Sequence, residues 1–433
     1  MTDSAQDRIG QAPQRTRASW FATLSGPFAY RTFASIWVAS LIGNLGGSVQ
    51  TVSAAWLMTS MAPSPTMVSL VQTASTLPIA LFALMSGVAA DAWDRRSVML
   101  VSQSLMFVVA LCLTALATAG VMTPAWLLLC MFIGGCATAM FQPAWQSAVT
   151  EQVPARELSA AIALDSFSLN FARTAGPALG GLIVASVSAR AGFLLSSLSY
   201  AGLVVVLARQ IRGATTRKPA REPLMKMLAE GVRYCFETPG IRGTLIRSSL
   251  FGFLGSPVWA LLPLFAKTQF GGEARTYGVL LASFGAGAAS GALGGAAFRT
   301  WLGRETLIRL CTLTFAAGVL LTAWSPVQAV AMLGLAIAGG SWVAVVSTYN
   351  LTIQTASPAW VAGRSLSLFH SCIVGGLAIG TYLWGIAATR SSINTAFAVS
   401  GLLMAASVVL APWLPLPAQE MSGRDVDSGA SQP

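Results

Sequence analysis

The stretch Ala163–Gly181, ALDSFSLNFARTAGPALGG, sets an Asp, an Asn and an Arg among small and apolar residues and ends on Gly-Pro and Gly-Gly pairs. Wound as a helix, it places Gly176, Gly180, Arg173 and Asn170, in that order, around one half of the circumference starting from Asp165. Leu164, Phe167, Phe171 and Leu182 occupy the opposite arc. One face is polar and small, and the other is bulky and apolar. The solvent around this helix decides what the polar face does.

That solvent is lipid. The chain of 433 residues is 55% hydrophobic and 9% charged, with mean hydropathy +0.67. Soluble domains carry about 25% charged residues, so this chain lacks the polar surface to cover a water-exposed globule. A charge in hydrocarbon costs about 2.5–3.5 kcal/mol on insertion scales, which turns Arg173 toward protein or a wet cavity. Asp165 and Arg173 lie two turns apart, roughly 12 Å along the axis. A stretched direct pair, a water bridge and a partner on another helix all fit that spacing. The pair reads either as a structural anchor or as an ion or substrate element.

A span needs about 20 apolar residues. Twelve such runs are present, and a long basic segment after the sixth divides them six and six. The expected organisation is a tail over 1–32, a six-helix bundle over 33–210, a linker with an interfacial helix over 211–242, a second bundle over 243–415 and a disordered tail over 416–433. In the linker, Leu224, Met227, Leu228 and Cys235 share one helical side. Of the 26 Lys and Arg, 21 fall on the side of the termini, and Arg190, Lys267, Arg275 and Arg390 fall on the other. This asymmetry places both termini in the cytoplasm of a cell (inner) membrane. The segments GVAADAWDRR (Gly87–Arg96) and GAAFRTWLGR (Gly295–Arg304) echo each other, one in each half of the chain. The fold expected is all-α, with twelve transmembrane helices in two pseudo-symmetric bundles and a site where the bundles meet.

In the loop after span 2, Gly87, Asp91, Arg95 and Arg96 follow a G-x-x-x-D-x-x-x-R-R pattern. Read alone, it is a positive-inside loop with a glycine for close helix approach. Here the sequence resembles the major facilitator superfamily, whose loop signature is G-x-x-x-D-(R/K)-x-G-(R/K)-(R/K); Ala92 and Asp94 depart from it. The resemblance implies a latch between the two halves. Arg299 stands where the second copy would carry Asp91, so the implied latch is asymmetric. Gly176, Pro177, Gly180 and Gly181 resemble the core of the family's antiporter motif, in which span 5 packs on span 8. Gly287, Gly291 and Gly295 form the stripe on span 8 expected to receive it. The runs IGNLGGSVQTVSAAWLM (Ile42–Met58) and Phe141–Gly181 resemble the enterobactin-exporter and secretion-effector branch, which implies export.

Other residues are candidates for a cavity. Span 1 carries Asn44, Ser48 and Thr51 at helical spacing; span 2 carries Ser69, Gln72 and Thr76; span 10 carries Trp342, Tyr349 and Asn350. Each either lines a path or bonds neighbouring helices. His370 and Asp165 lie 12 and 11 residues after a proline in equivalent spans, so one of them is a candidate proton carrier alongside Arg173.

A single His, six scattered cysteines and no phosphate-binding loop argue against a metal centre, a cofactor, an enzyme or ATP-driven transport. The net charge of +11 reads as membrane topology, with no nucleic-acid partner. The function expected is proton-coupled efflux of a small amphiphilic molecule, siderophore-like or drug-like, by a monomer in the bilayer. An importer of the same fold, or a non-transporting receptor, remains the alternative.

Overall fold

The computed structural model describes residues 26–92, 94–209, 224–358 and 360–417. The side chains of Gly87, Asp91, Asn170, Arg173, Leu224, Met227 and Leu228 lie outside the described residues, as do both chain ends. In the first half, the helices are α1 (Arg31–Met61), α2 (Pro65–Ala92), α3 (Arg95–Thr118), α4 (Pro124–Gln152), α5 (Leu158–Ser186) and α6 (Ala189–Arg209). The amphipathic α7 (Leu224–Glu237) follows. The second half comprises α8 (Pro239–Gly255), α9 (Pro257–Phe270), α10 (Ala274–Leu302), α11 (Arg304–Trp324), α12 (Gln328–Ala356), α13 (Ala362–Arg390) and α14 (Ile393–Ser407). Because α8 and α9 form one broken crossing, the chain crosses twelve times. Eleven crossings are long and apolar enough by themselves among the described residues, and α5 completes the set with 29 residues.

Both halves use the same pairings. In the first, α1 packs on α5 and α6, α2 on α4, and α3 on α4 and α6. In the second, α8 packs on α13 and α14, α10 on α12, and α11 on α12 and α14. Arg31 and Pro239, which open α1 and α8, are separated by the same offset as the two echoing segments Gly87–Arg96 and Gly295–Arg304. Across the halves, α2 packs on α13 and α5 on α10, pairs that exchange under the same pseudo-two-fold.

Small residues make these contacts close, because lipid gives no hydrophobic drive between helices and packing must supply it. A methyl group added at Gly135 would stand 2.5 Å from the Ser75 carbonyl oxygen, so α4 touches the backbone of α2. The Ser196 hydroxyl donates to the Gly46 carbonyl at 2.6 Å, and that of Ser400 to Leu254 at 2.5 Å. These side chains join helices α6 to α1 and α14 to α8.

The seventh crossing begins at Pro239, inside the segment expected to be linker, and breaks at Ser256–Pro257. Pro257 lacks an N–H and ends the α8 ladder. The freed Phe253 carbonyl accepts from the Ser256 hydroxyl at 2.8 Å and from the Trp384 indole N–H at 3.1 Å. Non-helical backbone at membrane depth is tolerated under such satisfaction. The α7 helix docks on the start of α13: buried Cys235 meets the Ser365 hydroxyl at 3.3 Å, and Tyr234 packs edge-on to Trp360.

A charged clamp ties the second half together on the side of the termini. Arg247 of α8 holds Glu305 of α11 through two bonds, 2.8 and 3.2 Å, and Arg309 binds the same carboxylate at 2.6 Å. Arg247 also reaches the Leu414 carbonyl at 3.4 Å and lies 6.0 Å over the Tyr349 ring. Two-point pairing satisfies the guanidinium, whose side chain is 9% exposed.

Candidate functional site

The two halves meet face to face away from the termini. Thr66 of α2 and Thr389 of α13 approach hydroxyl to hydroxyl at 2.8 Å. One helical stretch further in, Thr73 and Thr381 do the same at 2.8 Å. Lys267 at the end of α9 donates to the Thr59 carbonyl of α1 at 3.0 Å, and Trp56 stacks on Tyr277 at 6.4 Å. A methyl group at Gly181 of α5 would collide with the Gly278 Cα of α10. These bonds and contacts seal the far side. Toward the termini, α10 instead presents Leu293 and Trp301 at 86% and 89% exposure.

The antiporter-like motif is divided between two partners. Gly176 and Gly180 press on Ser48, Val49 and Val52 of α1, while Gly181 alone meets α10. The stripe Gly287, Gly291 and Gly295 was expected to face α5 and does not. Gly287 and Gly291 lie against the Ala336 and Gly340 carbonyls of α12, and among the described residues a methyl group at Gly295 would meet its own Arg299. Helical geometry explains the correction: Gly278 and Gly287 are two and a half turns apart, which sets them on opposite faces. The helix α10 is small on both of those faces, and the four-residue spacing identified the inward one.

Behind the seal, inside the first half, lies a chamber of about 290 Å³. Asn44, Ser48 and Thr51 of α1 and Gln72 and Thr76 of α2 line it, whereas Ser69 of the same α2 stripe is buried away from it. Asn44 donates to Ser168 at 3.2 Å and Ser48 to the Ala172 carbonyl at 3.1 Å, so these groups also anchor α5. Thr51 and Thr76 bond carbonyls of their own helices. Ser40, Gln50, Gln103, Gln142 and Tyr200 complete the polar wall, and spacing arguments missed them. Each is an amide or hydroxyl outside the stripes identified above, which names a position without naming a face.

Asp165 turns into the first half, where the Trp145 indole N–H of α4 donates to its carboxylate at 2.5 Å. Its partner in the described residues is therefore on another helix. Arg173 and Asn170, expected on the polar face of this helix, have side chains outside the described residues, as do Gly87 and Asp91 of the loop. The departing Asp94 has a local job: it caps α3, accepting from the Ser97 N–H at 2.9 Å and hydroxyl at 2.8 Å. Arg95 and Arg96 open that helix.

In the second half, His370 is exposed, with Nε2 at 3.4 Å from the Asn350 amide nitrogen, and Gln354 donates to Asn350 at 2.7 Å. Trp342 and Tyr349 are elsewhere. Trp342 sits in an aromatic nest, 4.3 Å from Trp259 and 5.0 Å from Phe251, and Tyr349 is buried under Arg247. The structure thus joins Asn350 to His370 and separates both from the chamber and from Asp165.

A family profile described as transmembrane secretion effector matches residues 22–431. Multidrug efflux pump Tap of Mycolicibacterium fortuitum is 24% identical over 87% of this chain and 94% of its own. Macrolide efflux protein A of Streptococcus pyogenes is 22% identical over 88% and 95%. A solved POT family transporter in complex with 5-aminolevulinic acid superposes at a TM-score of 0.73 and 13% identity, covering 89% of this chain and 96% of that one. Together with the twelve crossings in two matching halves, this makes the protein a multi-pass membrane transporter of small molecules, not an enzyme. The chain belongs to the transmembrane secretion effector family of the major facilitator superfamily.

Proposed function

We propose that this transporter expels a small amphiphilic molecule across the cell membrane in exchange for protons. Both termini are cytoplasmic in this reading, the working unit is a monomer, and the two halves rock against each other at the far-side contact, with the chamber carried inside the first half. The observation that carries the reading is the far-side seal between the halves beside a polar chamber. Small residues and paired hydroxyls close the far side through contacts that can part without breaking a buried charge pair. The efflux activities named for the Tap and macrolide relatives support the direction. The loop residues Gly87, Asp91, Arg95 and Arg96 then serve as the latch on the cytoplasmic side, and Gly176, Pro177, Gly180 and Gly181 limit leak along α5.

Asp165 and His370 are the proposed proton carriers, with Arg173 as a modulating charge. They stand at similar depth, about two turns into α5 and α13 respectively. Asp165→Asn is a clean probe, because its amide oxygen still accepts from Trp145 while the titrating carboxyl is gone. In inside-out vesicles under an imposed proton gradient, Asp165→Asn with His370→Gln should lose cargo accumulation. Downhill counterflow should persist. Undiminished gradient-driven accumulation in the double variant would remove both residues from the coupling role.

A further inference from the structure

We propose that the wall formed by Ser40, Gln50 and Gln103 is a recognition site for an uncharged, hydrogen-bonding part of the cargo. This deepens the transport reading and rests on it. Ser40 Oγ, Gln50 Oε1 and Gln103 Nε2 are each buried without a hydrogen-bond partner among the described residues. Their residues are 4%, 7% and 1% exposed, and all three line the same chamber. A buried polar atom left unpaired destabilises the fold, because its hydration is lost with nothing in return. Three on one wall, drawn from α1 and α3, are an arrangement that packing alone disfavours and a ligand repays.

Their chemistry describes the ligand. Gln50 offers an acceptor, Gln103 a donor and Ser40 a hydroxyl that serves as either. Ser40 and Gln50 lie about 15 Å apart along α1, so a ligand that satisfies all three carries separated oxygen and hydroxyl groups. Among the described residues, no Asp, Glu, Lys, Arg or His lines the chamber, so nothing there rewards a formal charge. A volume of about 290 Å³ lies at the lower edge of the roughly 300–1,000 Å³ typical for drug-sized ligands. It therefore takes one end of the cargo. The floor is bare backbone. A methyl group at Gly43 would stand 4.0 Å from Gln103 Nε2 and 3.7 Å from Leu203, and one at Gly47 would stand 2.9 Å from the Tyr200 hydroxyl.

The test uses the purified full chain, with chloramphenicol as a neutral probe and ethidium as a permanent cation. Binding is measured by calorimetry and movement in proteoliposomes. Gln103→Met and Gln50→Met keep the side-chain volume and remove the lone polar atoms. Each should weaken chloramphenicol binding by about tenfold and leave ethidium unchanged. Each should also raise the melting temperature without ligand, since an unpaired buried group has gone. Gly43→Ala fits at ordinary contact distance and should weaken chloramphenicol alone, which covers the case of a Gln variant that folds poorly. Unchanged chloramphenicol binding in all three, or equal losses for both probes, would overturn the site. A fall in melting temperature with binding intact would show that the three groups serve structure only. Wild-type protein that moves neither probe would instead count against the transport reading itself.

Discussion

Asp165 shows how a single ionisable residue can be placed in a membrane helix. Its position in Ala163–Gly181 announced that it must avoid lipid, and the Trp145 indole is what shelters it. A hydrogen bond to a charged group contributes about 1.5–3 kcal/mol. Trp145→Phe should therefore lower the melting temperature of the purified protein. Asp165→Asn in the same background should recover part of the loss, because an unpaired amide costs less than an unpaired carboxylate. Independent, additive losses would show that the two side chains do not depend on one another. The bulky arc on this helix behaves as the wheel implied for Phe167, Phe171 and Leu182, which are exposed, whereas Leu164 packs against the first half's core. Sequence periodicity finds the sides of a helix; only neighbours decide which side is wet, oily or packed.

At the scale of elements, α5 and α10 pack along an extended contact whose closest backbone approach is Gly181 against Gly278. Gly181→Val places a branched side chain where the Gly278 Cα already stands, which holds the far side apart. The expected result is a protein that folds and binds cargo but transports at a small fraction of the wild-type rate. Transport near the wild-type rate would mean that this contact is no part of the seal.

Elements were unevenly legible. Length and hydropathy were enough for twelve crossings, because lipid demands them. The break at Ser256–Pro257 left only a proline as its trace, and prolines occur unbroken inside α2, α4 and α5. The stripe on α10 was visible, but its partner was not, because both of its faces are small. The clamp of Arg247 on Glu305 joins residues 58 apart in sequence, and no local pattern links them.

For the whole molecule, the echo of Gly87–Arg96 in Gly295–Arg304 predicted two matching halves, and the helix pairings repeat as that echo requires. The chamber was less legible. Asn44, Thr51 and Gln72 were identified from stripes on α1 and α2, whereas Gln103 and Tyr200 come from α3 and α6, helices whose patterns read as ordinary apolar spans. A cavity is a property of several elements at once, and one-dimensional periodicity carries only one element at a time. Trp342 and Tyr349 illustrate the converse: aromatic residues at cavity depth that the tertiary structure spends on packing and on covering Arg247.

The central claim is that the far-side contact between the halves must open and close for cargo to cross. The direct measurement is transport by a variant carrying Thr73→Cys and Thr381→Cys in a background without the six native cysteines. These hydroxyls lie 2.8 Å apart, close enough for a disulfide after small adjustment. Oxidation should stop transport of a cargo that the reduced variant moves, and reductant should restore it. Transport continuing at the reduced rate in fully cross-linked protein would contradict the account.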